Sequence, residues 1–572
     1  MRHSCSHVLA AAVLKLFPNA KPAIGPAIEE GFYYDFDFGK EKISEADLEK
    51  TSSLMIQIME SKQPFKKEQV SVSEARKIFK DQPFKLELIK DLEKGGEKKV
   101  LIYRTSDLID LCAGPHVENT GKIGPFKLLS LAGAYWRGSE KNKMLTRIYG
   151  TCFPTQKELD KKLWQLEEAK KRDHRKLGAQ LGLWTFSKLV GAGLPLFTQK
   201  GALLRRLITQ FIEDLQSKQG ISQVWTPQIA KSELFKISGH YEKYRENMFK
   251  VYSNYSEEEF YLKPMNCPQH TQIYASKPRS YRDLPIRMSD FAMLYRDEKP
   301  GELSGLARTR SFSQDDCHIF CREDQIIEEM NKALDMTEEI MAAFGLKYRY
   351  RLSTRDPEHP EKFIGDLKDW KKAEKLGKQI LDERKMEYFL GVGEAAFYGP
   401  KIDLIATDAL EREWQLSTLQ IDFFMPKRFK LTYVDKKGTQ QRPIMLHRAI
   451  AGSPERLIMI LLENYVGALP LWLSPVQVVV IPITDKEIKY AKDVQAKFIA
   501  HNLRAELADR NETTSAKIRD AELQKVPYMI IVGPKEEKNK SVAVRQRSEG
   551  DQGETKLEKF ISKIQEEIAK KK

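Results

Sequence analysis

Hydrophobic and polar positions follow three different patterns along this chain of 572 residues. From Thr155, the segment TQKELDKKLWQLEEAKKRDHRKL is charged and keeps a helical period, which predicts a linker helix. Farther on, the phrase HRAIAGSPERLIMILLENYVGALPLWLSP has a short glycine turn followed by apolar residues at helical spacing, which predicts an amphipathic helix. From Val478, apolar runs such as VVVIP and PYMIIVGP alternate with charged helical segments. This alternation predicts a small α/β domain with a mixed sheet.

The chain is too long for one hydrophobic core, and its length favours three or four domains. The changes of pattern place boundaries near residues 172 and 471. We therefore predict a multidomain α/β protein with parts at 1–154, 155–172 (the linker helix), 173–470 and 471–572.

The formal net charge of +14 favours a polyanionic partner, although charge alone carries no sequence specificity. The six cysteines form no C-x-x-C repeat and do not have the spacing of a disulfide framework. The chain has no apolar run long enough to cross a bilayer and no signal-peptide core. We expect a cytoplasmic protein that does not associate with a membrane.

Three distant residues are candidate metal ligands: Cys267 in YLKPMNCPQH, His318 in SFSQDDCHIF and His447 in PIMLHRAIAGSPER. Zinc prefers thiolate and imidazole ligands, and three protein ligands leave a fourth position open. Spacing alone leaves alternatives, because Cys267 and His270 form a rival pair and Cys317 stands beside His318. Any of these cysteines can also be an ordinary buried apolar residue.

A basic hairpin is predicted in FAMLYRDEKPGELSGLARTRSFSQDD, which contains Arg296, Glu298, Arg308 and Phe312. Guanidinium groups suit phosphates, and an aromatic ring can stack on a base. Arg456, near the start of the predicted amphipathic helix, would point at the same polyphosphate. The alternative is a solvated basic hairpin without a ligand.

These phrases resemble motifs 2 and 3 of class II aminoacyl-tRNA synthetases, and the whole chain is similar to bacterial threonyl-tRNA synthetases. Motif 1 of that class resembles GALLRRLITQFIEDLQSKQGISQVWTPQIA, which contains Pro227; it builds the dimer interface there, so a homodimer is implied. The HIGH and KMSKS signatures of the other class do not occur. The string Gly391-Val-Gly393 lacks a following helix pattern and does not predict a dinucleotide site.

The resemblance implies an α+β editing domain at 1–154. It also implies a catalytic domain with an antiparallel sheet flanked by helices at 173–470 and an α/β anticodon-binding domain at 471–572. The implied reaction joins L-threonine to ATP, with Mg²⁺, and then passes the threonyl group to tRNA(Thr). Positioning and charge neutralisation dominate such chemistry. The residues implied for ATP are Arg296 (α-phosphate and threonine carboxylate), Glu298 (adenine amino group), Phe312 (adenine face), Arg308 and Arg456 (outer phosphates) and Gln415.

Valine is nearly isosteric with threonine, and an apolar pocket separates the two poorly. The resemblance implies one Zn²⁺ per subunit, held by Cys267, His318 and His447, that accepts the amino and hydroxyl groups of threonine. Gln314, Asp316 and Tyr398 complete the implied pocket.

Serine differs from threonine by one methyl group, worth roughly 1–3 kcal/mol, so a second, hydrolytic site is expected. In the N-terminal part, His3 and His7 are four residues apart, and so are Cys112 and His116. This spacing suits a zinc site, and the set resembles the editing domain shared with alanyl-tRNA synthetases. The resemblance implies a metal-independent deacylase of seryl-tRNA(Thr). Its residues are His3, His7, Cys112 and His116, with Lys85 and Asp110 as polar helpers and Tyr34 lining the pocket.

In the C-terminal domain, the resemblance implies anticodon contacts from Asn511, Glu536 and Arg545. The chain departs from the family at Gln269, where glycine is usual, and at Leu416-Ser417, where Cys-Gly is typical. The family's N-terminal ubiquitin-like TGS domain is expected to be absent. Two rival functions are a non-catalytic tRNA-binding or regulatory paralogue and an editing deacylase acting in trans. Intact motif arginines favour a working synthetase over both.

Overall fold

The computed structural model describes residues 1–571 and divides the chain into two units, Met1–Glu168 and Ala169–Lys572. The first unit contains a five-stranded antiparallel sheet and a separate three-stranded antiparallel sheet. The larger sheet contains Lys21–Pro22, Ala27–Ile28, Gly31–Asp37, Phe126–Tyr135 and Met144–Cys152, and the smaller contains Lys66–Ser71, Lys99–Thr105 and Leu108–Leu111. Four helices accompany them: Arg2–Leu16, Glu45–Glu60, Val72–Ile78 and Pro83–Lys94.

The Arg2–Leu16 helix is central to the first unit. Its residues from Ser4 to Val13 are all buried, and they share one core with Phe32, Tyr34 and Phe36 of the larger sheet. A helix surrounded on all sides needs an apolar circumference, which its run of three alanines and neighbouring valines and leucine provides. This burial holds the polar groups of the same helix, including His7, in fixed positions.

The second unit is built on an eight-stranded sheet whose inner strands are all antiparallel. Only the pairings at its two edges are parallel. In spatial order its strands are Ser222–Gln223, Ile286–Asp290, Asp316–Cys321, Ile444–Ala449, Glu413–Asp422, Lys401–Thr407, Lys347–Thr354 and Tyr388–Val392. The helices of this part are His174–Gln180, Gln199–Lys218, Ser232–Ser238, His240–Tyr244, Cys267–Ala275, Ile326–Phe344, Leu367–Glu383, Phe424–Arg428 and Pro454–Tyr465.

Local sequence signals explain two of these helices. Thr198 caps the Gln199–Lys218 helix by accepting a hydrogen bond from the amide of Gly201, as a threonine N-cap does. Ser453 caps the Pro454–Tyr465 helix in the same way, with proline in its first turn. The predicted helix is present, but none of its residues is exposed, so it lacks the solvent-facing side that an amphipathic helix was expected to have.

The C-terminal part of the second unit has a five-stranded mixed sheet, which confirms the predicted α/β pattern. Its strands in spatial order are Ala505–Leu507, Val478–Pro482, Tyr528–Val532, Ser541–Gln546 and Gly550–Lys556, and its helices are Ile488–Ala500, Thr514–Leu523, Pro534–Asn539 and Leu557–Ala569. The predicted linker helix spans Gln156–Arg172. Within residues 1–571, no helix is both long and apolar enough to cross a membrane.

Candidate active site and editing site

A cavity of about 720 Å³ is lined by all twelve predicted site residues of the catalytic domain, several of which lie on neighbouring strands of the large sheet. The strand pairing places His318 directly opposite His447, and His447 directly opposite Gln420 on the next strand. Cross-strand partners share one face of a sheet. Cys317 points to the other face and belongs to the hydrophobic core, so the structure excludes it from the candidate metal site.

The donor atoms of Cys267, His318 and His447 all lie within 4.8 Å of one another, and the three residues are buried. His318 Nε2 and His447 Nδ1 are 3.0 Å apart. The remaining ring nitrogens are occupied, because His318 Nδ1 is 2.7 Å from His270 Nδ1 and His447 Nε2 is 2.9 Å from Asp422 Oδ2. Such partners orient imidazole ligands at metal sites. His270 therefore supports His318, and the rival pair of Cys267 with His270 is not the cluster that forms.

The electrostatics of this cluster also fit a cation. Burial, together with Asp316 and Asp422, raises the pKa of the Cys267 thiol well above its usual value. Burial lowers the pKa of His318 well below its usual value, and neighbouring His447 adds to this effect. The imidazole is thus a neutral donor, and the thiol needs a cation to become a thiolate. The residues present can hold a metal ion.

The predicted nucleotide residues converge on the same cavity. The Met293–Tyr295 and Ser311–Ser313 strands pair antiparallel, which confirms the hairpin. The Arg296 guanidinium carbon lies 5.0 Å from the centre of the Phe312 ring. Arg456 donates to the carbonyls of Ala307 (3.3 Å) and Gln415 (3.2 Å).

Positive charge is concentrated here. Burial lowers the pKa of Arg456, and the nearby Arg296 and Arg308 lower it further. The charge of Arg456 is thus disfavoured by its two neighbours, and an anionic ligand between the three guanidinium groups would relieve this repulsion. Arg308 is paired with Glu298 (2.7 Å) and Glu302 (2.7 Å). To hold the outer phosphates of ATP, Arg308 must therefore release these carboxylates and bind phosphate in their place.

The remaining predicted residues also line the cavity. Tyr398 donates to Gln420 Oε1, and its ring stacks on His447 with centroids 4.7 Å apart. Burial raises the pKa of Asp316, whose Oδ1 lies 3.5 Å from His318 Nε2. Gln314 borders the cavity. The side chain of Gln415 is held by Arg351 and Asp403.

The two departures from the family pattern occupy different surroundings. Leu416 borders the cavity and lies at an irregularity in the strand register. Ser417 points away from the cavity and donates to the carbonyl of Ala449 at 2.9 Å. Gln269 donates to the carbonyl of Pro227 at 3.0 Å. Only Leu416 can change the shape of the cavity directly.

The predicted editing residues form a second cluster, in the first unit. His3, His7, Cys112 and His116 have donor atoms within 4.8 Å of one another, and Cys112 Sγ lies 3.3 Å from a ring nitrogen of both His3 and His116. This set can also hold a metal. The prediction of a metal-independent deacylase stays a prediction.

The polar helpers lie beside this cluster. Asp110 is buried and accepts a hydrogen bond from Tyr34 Oη at 2.6 Å. It also forms an ion pair with Lys85 and lies 3.4 Å from His7 Nε2. Burial lowers the pKa of His7 to about 4 and that of His116 to about 3. Both histidines are therefore neutral near pH 7, and a neutral imidazole has one nitrogen that can accept a hydrogen bond.

The three predicted anticodon residues have separate partners. Asn511 is exposed in the segment before the Thr514–Leu523 helix. Glu536 accepts the amide of Gly533 at 2.9 Å and caps the Pro534–Asn539 helix. Arg545 pairs with Glu522 at 3.3 Å.

Comparisons with known proteins agree with this geometry. Three family descriptions match: "tRNA synthetase class II core domain (G, H, P, S and T)" at residues 249–465, "Anticodon binding domain" at 477–567, and "Threonyl and Alanyl tRNA synthetase second additional domain" at 100–149. A threonine–tRNA ligase of Rubrobacter xylanophilus is 48% identical over 572 residues, covering 100% of this chain and 89% of that protein. The chain belongs to the threonine–tRNA ligase family.

Two further relatives of this ligase family extend the comparison. A threonine–tRNA ligase of Chloroherpeton thalassium is 47% identical, covering 100% of this chain and 87% of that protein. The structure of the RNA-binding domain of threonyl-tRNA synthetase from Cryptosporidium parvum superposes with a TM-score of 0.66 at 39% identity, covering 69% of this chain and 98% of that one. The mixed α/β fold, with a class II synthetase core, is thereby established for this chain.

Sequence reasoning missed several residues of both sites in this ligase-family chain. His240 is buried, with Nε2 3.6 Å from Cys267 Sγ, and Asp422 orients His447. Ser4 Oγ lies 3.1 Å from His116 Nδ1. One signal was available: polar residues at 418, 420 and 422 alternate along a strand, which indicates a polar face within a buried sheet.

Proposed function

We propose that this chain activates L-threonine with ATP to threonyl-adenylate, transfers the threonyl group to tRNA(Thr), and hydrolyses seryl-tRNA(Thr) at its first unit. One observation carries the first two steps. A single cavity joins a buried Cys–His–His cluster to three converging arginines. An amino acid at the cluster would place its carboxylate toward the arginines, where the α-phosphate of ATP would lie.

At the amino-acid end, the donor set of Cys267, His318 and His447 suits Zn²⁺. When bound, Zn²⁺ would supply a Lewis-acidic position that recognises an amino group and a hydroxyl group. Asp316 adds a carboxylate acceptor, and Tyr398 and Gln314 close the pocket. Valine would leave Asp316 buried without a partner, and an unpaired buried polar group is a strong basis for rejection.

At the nucleotide end, Arg296 would hold the α-phosphate and the threonine carboxylate together, and Phe312 would stack on adenine. Glu298 would accept the adenine amino group, and Gln415 would complete the pocket. Arg308 and Arg456 would neutralise the outer phosphates, with Mg²⁺ bound to ATP. Once Arg308 has exchanged its carboxylate partners for phosphate, these charges would stabilise the leaving pyrophosphate.

In the first unit, neutral His7 and His116 would orient water toward the seryl ester, with His3 and Cys112 beside them. Asp110, held by Lys85 and Tyr34, would keep His7 in one tautomer. Hydrolysis without a metal also needs assistance from a general base or a substrate hydroxyl. The three imidazole rings pack closely (centroids 4.3 to 5.1 Å apart), which supports their role in orienting water.

The proposal extends to domains and partners. We assign editing to 1–154, a linker helix to 155–172, catalysis to 173–470 and anticodon binding to 471–572, with contacts from Asn511, Glu536 and Arg545. The family and the three matched descriptions support tRNA, ATP and threonine as partners. The resemblance of residues 201–230 to motif 1 of the class supports a homodimer, and we also propose a cytoplasmic location.

Threonine-dependent ATP–pyrophosphate exchange tests this function. We expect exchange with threonine, weaker exchange with serine and none above background with valine. Arg296→Ala should abolish exchange, whereas Arg282→Ala, which removes the same charge from an exposed side chain, should leave it unchanged. Absent exchange in the wild-type protein, with retained seryl-tRNA hydrolysis, would instead support a trans-editing deacylase; tRNA binding without either activity would support the non-catalytic paralogue.

A further inference from the structure

His174 is a buried histidine that the proposed reaction does not use. It begins the His174–Gln180 helix and is 5% exposed. Both ring nitrogens have partners: Nδ1 lies 2.6 Å from Glu463 Oε1, and Nε2 accepts the backbone amide of Leu306 at 3.1 Å. A backbone N–H can only donate, so Nε2 is the acceptor and Nδ1 carries the proton donated to Glu463.

Glu463 holds His174 in this orientation. Burial alone would raise the pKa of Glu463, but hydrogen bonds from His174 and Arg412 lower it below its usual value. The side chains of Asp173, His174 and Glu463 are also close enough to hold a cation. However, Arg175 pairs with Asp173 and Arg412 pairs with Glu463. These guanidinium groups already neutralise the carboxylates, which favours a structural anchor over a metal site.

The group that His174 holds belongs to the nucleotide loop. Leu306, Ala307 and Arg308 are consecutive, and all three border the active-site cavity. The Leu306 amide would lose its only described partner if the imidazole were removed. Leu306 is 1% exposed, so water does not reach this amide while the loop keeps its conformation. A buried amide without a partner is costly, and the loop would rearrange to hydrate it.

Gly305 shows how closely the loop approaches His174. It has φ +50, and a Cβ placed there would lie 2.1 Å from His174 Nε2. Glycine adopts this backbone region without penalty and leaves room for the ring. The loop and the imidazole are therefore fitted to each other.

The second attachment of the loop comes from the same helix that holds His174. Arg456 donates to the carbonyl of Ala307, and Glu463 lies two turns farther along the Pro454–Tyr465 helix. The loop is thus fixed at one point directly by Arg456 and at the next by Glu463 acting through His174.

We propose that His174 is a positioning residue for ATP: by accepting the Leu306 amide it holds the segment from Gly305 to Arg308 in the geometry that places Arg308 against the phosphates. This inference rests on the proposed function. Because the contact lies on the nucleotide side of the cavity, its loss affects ATP and leaves the threonine pocket unchanged.

Two variants separate the contacts of the ring. In His174→Asn, the shorter amide can still donate to Glu463 but cannot reach Leu306. In His174→Gln, the amide oxygen can take the place of Nε2 and accept the Leu306 amide. In ATP–pyrophosphate exchange, we expect His174→Asn to raise KM for ATP about tenfold, equivalent to about 1.4 kcal/mol. KM for threonine should stay within about twofold, and His174→Gln should recover most of the loss. Lys176→Ala, an exposed change on the same helix, should behave as wild type.

An unchanged KM for ATP in His174→Asn would overturn the proposal, as would an equal rise in both KM values or an equal defect in His174→Gln. If the variants do not fold, hydrogen exchange on the full-length wild-type enzyme decides. The Leu306 amide, resolved individually, should exchange more slowly than the amides of the exposed segment from Lys299 to Glu302, and equally fast exchange would refute the anchor. Absent ATP–pyrophosphate exchange in the wild-type protein would refute the proposed function instead, whereas slow hydrogen exchange at the Leu306 amide would still support the anchor.

Discussion

Replacing Asp422 with asparagine should weaken metal binding at the Cys267–His318–His447 cluster. Asp422 Oδ2 lies 2.9 Å from His447 Nε2. A carboxylate only accepts hydrogen bonds, so it keeps the proton on Nε2 and leaves the Nδ1 lone pair, which faces His318, available to a metal.

The second carboxylate oxygen of Asp422 determines which way the amide of the asparagine variant must face. Oδ1 accepts the amides of Phe424 at 2.7 Å and Met425 at 2.9 Å. In the asparagine variant, the amide oxygen can keep this capping role only if the NH₂ group faces His447. That arrangement favours the tautomer with the proton on Nδ1, which cannot bind a metal. The local fold should survive while the ligand is lost.

The expected loss of zinc affinity is about 10- to 100-fold, the range typical for partners of metal ligands, or about 1.4 to 2.7 kcal/mol. Competition between the protein and a chromophoric chelator measures it. Asp408→Asn is the matched control, because Asp408 is also buried and caps a turn but pairs with Arg412 and Trp414. Affinity within twofold of wild type in Asp422→Asn, or an equal loss in the control, would refute the tautomer argument.

Three further outcomes are expected. The rate of seryl-tRNA deacylation should be constant between about pH 5.5 and 8. The lowered pKa values of His7 (about 4) and His116 (about 3) keep both rings neutral over this range. A rise through about pH 6 to 7 in the pH–rate profile would contradict this. Asp110→Asn should lower the free energy of unfolding by about 3–5 kcal/mol, because it leaves Lys85 buried without its carboxylate; denaturant unfolding measures this, and a loss below 1 kcal/mol would contradict it. Arg456→Lys should raise KM for ATP about tenfold in ATP–pyrophosphate exchange. One ammonium group cannot replace the two carbonyl contacts of Arg456 and its proposed phosphate contact. An unchanged KM for ATP would exclude a role of Arg456 in binding the phosphates.

Local patterns in the sequence predicted much of the fold. The linker helix, the basic hairpin and the C-terminal mixed sheet all depend on short-range periodicity and turn residues, and the structure has each of them. The Pro454–Tyr465 helix was correctly located, but its burial was not foreseen. Burial on every side depends on neighbours that are distant in sequence, which a helical period cannot reveal.

The candidate sites were predicted in part for a similar reason. Cys267, His318 and His447 stand in distinctive phrases, so their resemblance to a family could be recognised before the structure showed them together. Asp422 was missed, and His270 was considered only as a rival ligand, because their supporting role exists only through contacts with those ligands. The polar alternation at 418, 420 and 422 indicates a polar face of the strand but not which ligand a residue supports.

His174 illustrates the limit most clearly. Its two partners, Glu463 and the Leu306 amide, are separated from it by 289 and 132 residues. One of them is a backbone group, which no side-chain pattern can indicate. Only the folded chain brings the three together.

The most direct test of the central claim measures threonine-dependent ATP–pyrophosphate exchange and zinc content on the same purified sample, for the wild-type protein and for Cys267→Ala. We predict exchange with about one zinc per chain in the wild type, and loss of both in the variant. Wild-type exchange that persists in Cys267→Ala without bound zinc would contradict the account of threonine recognition by this cluster.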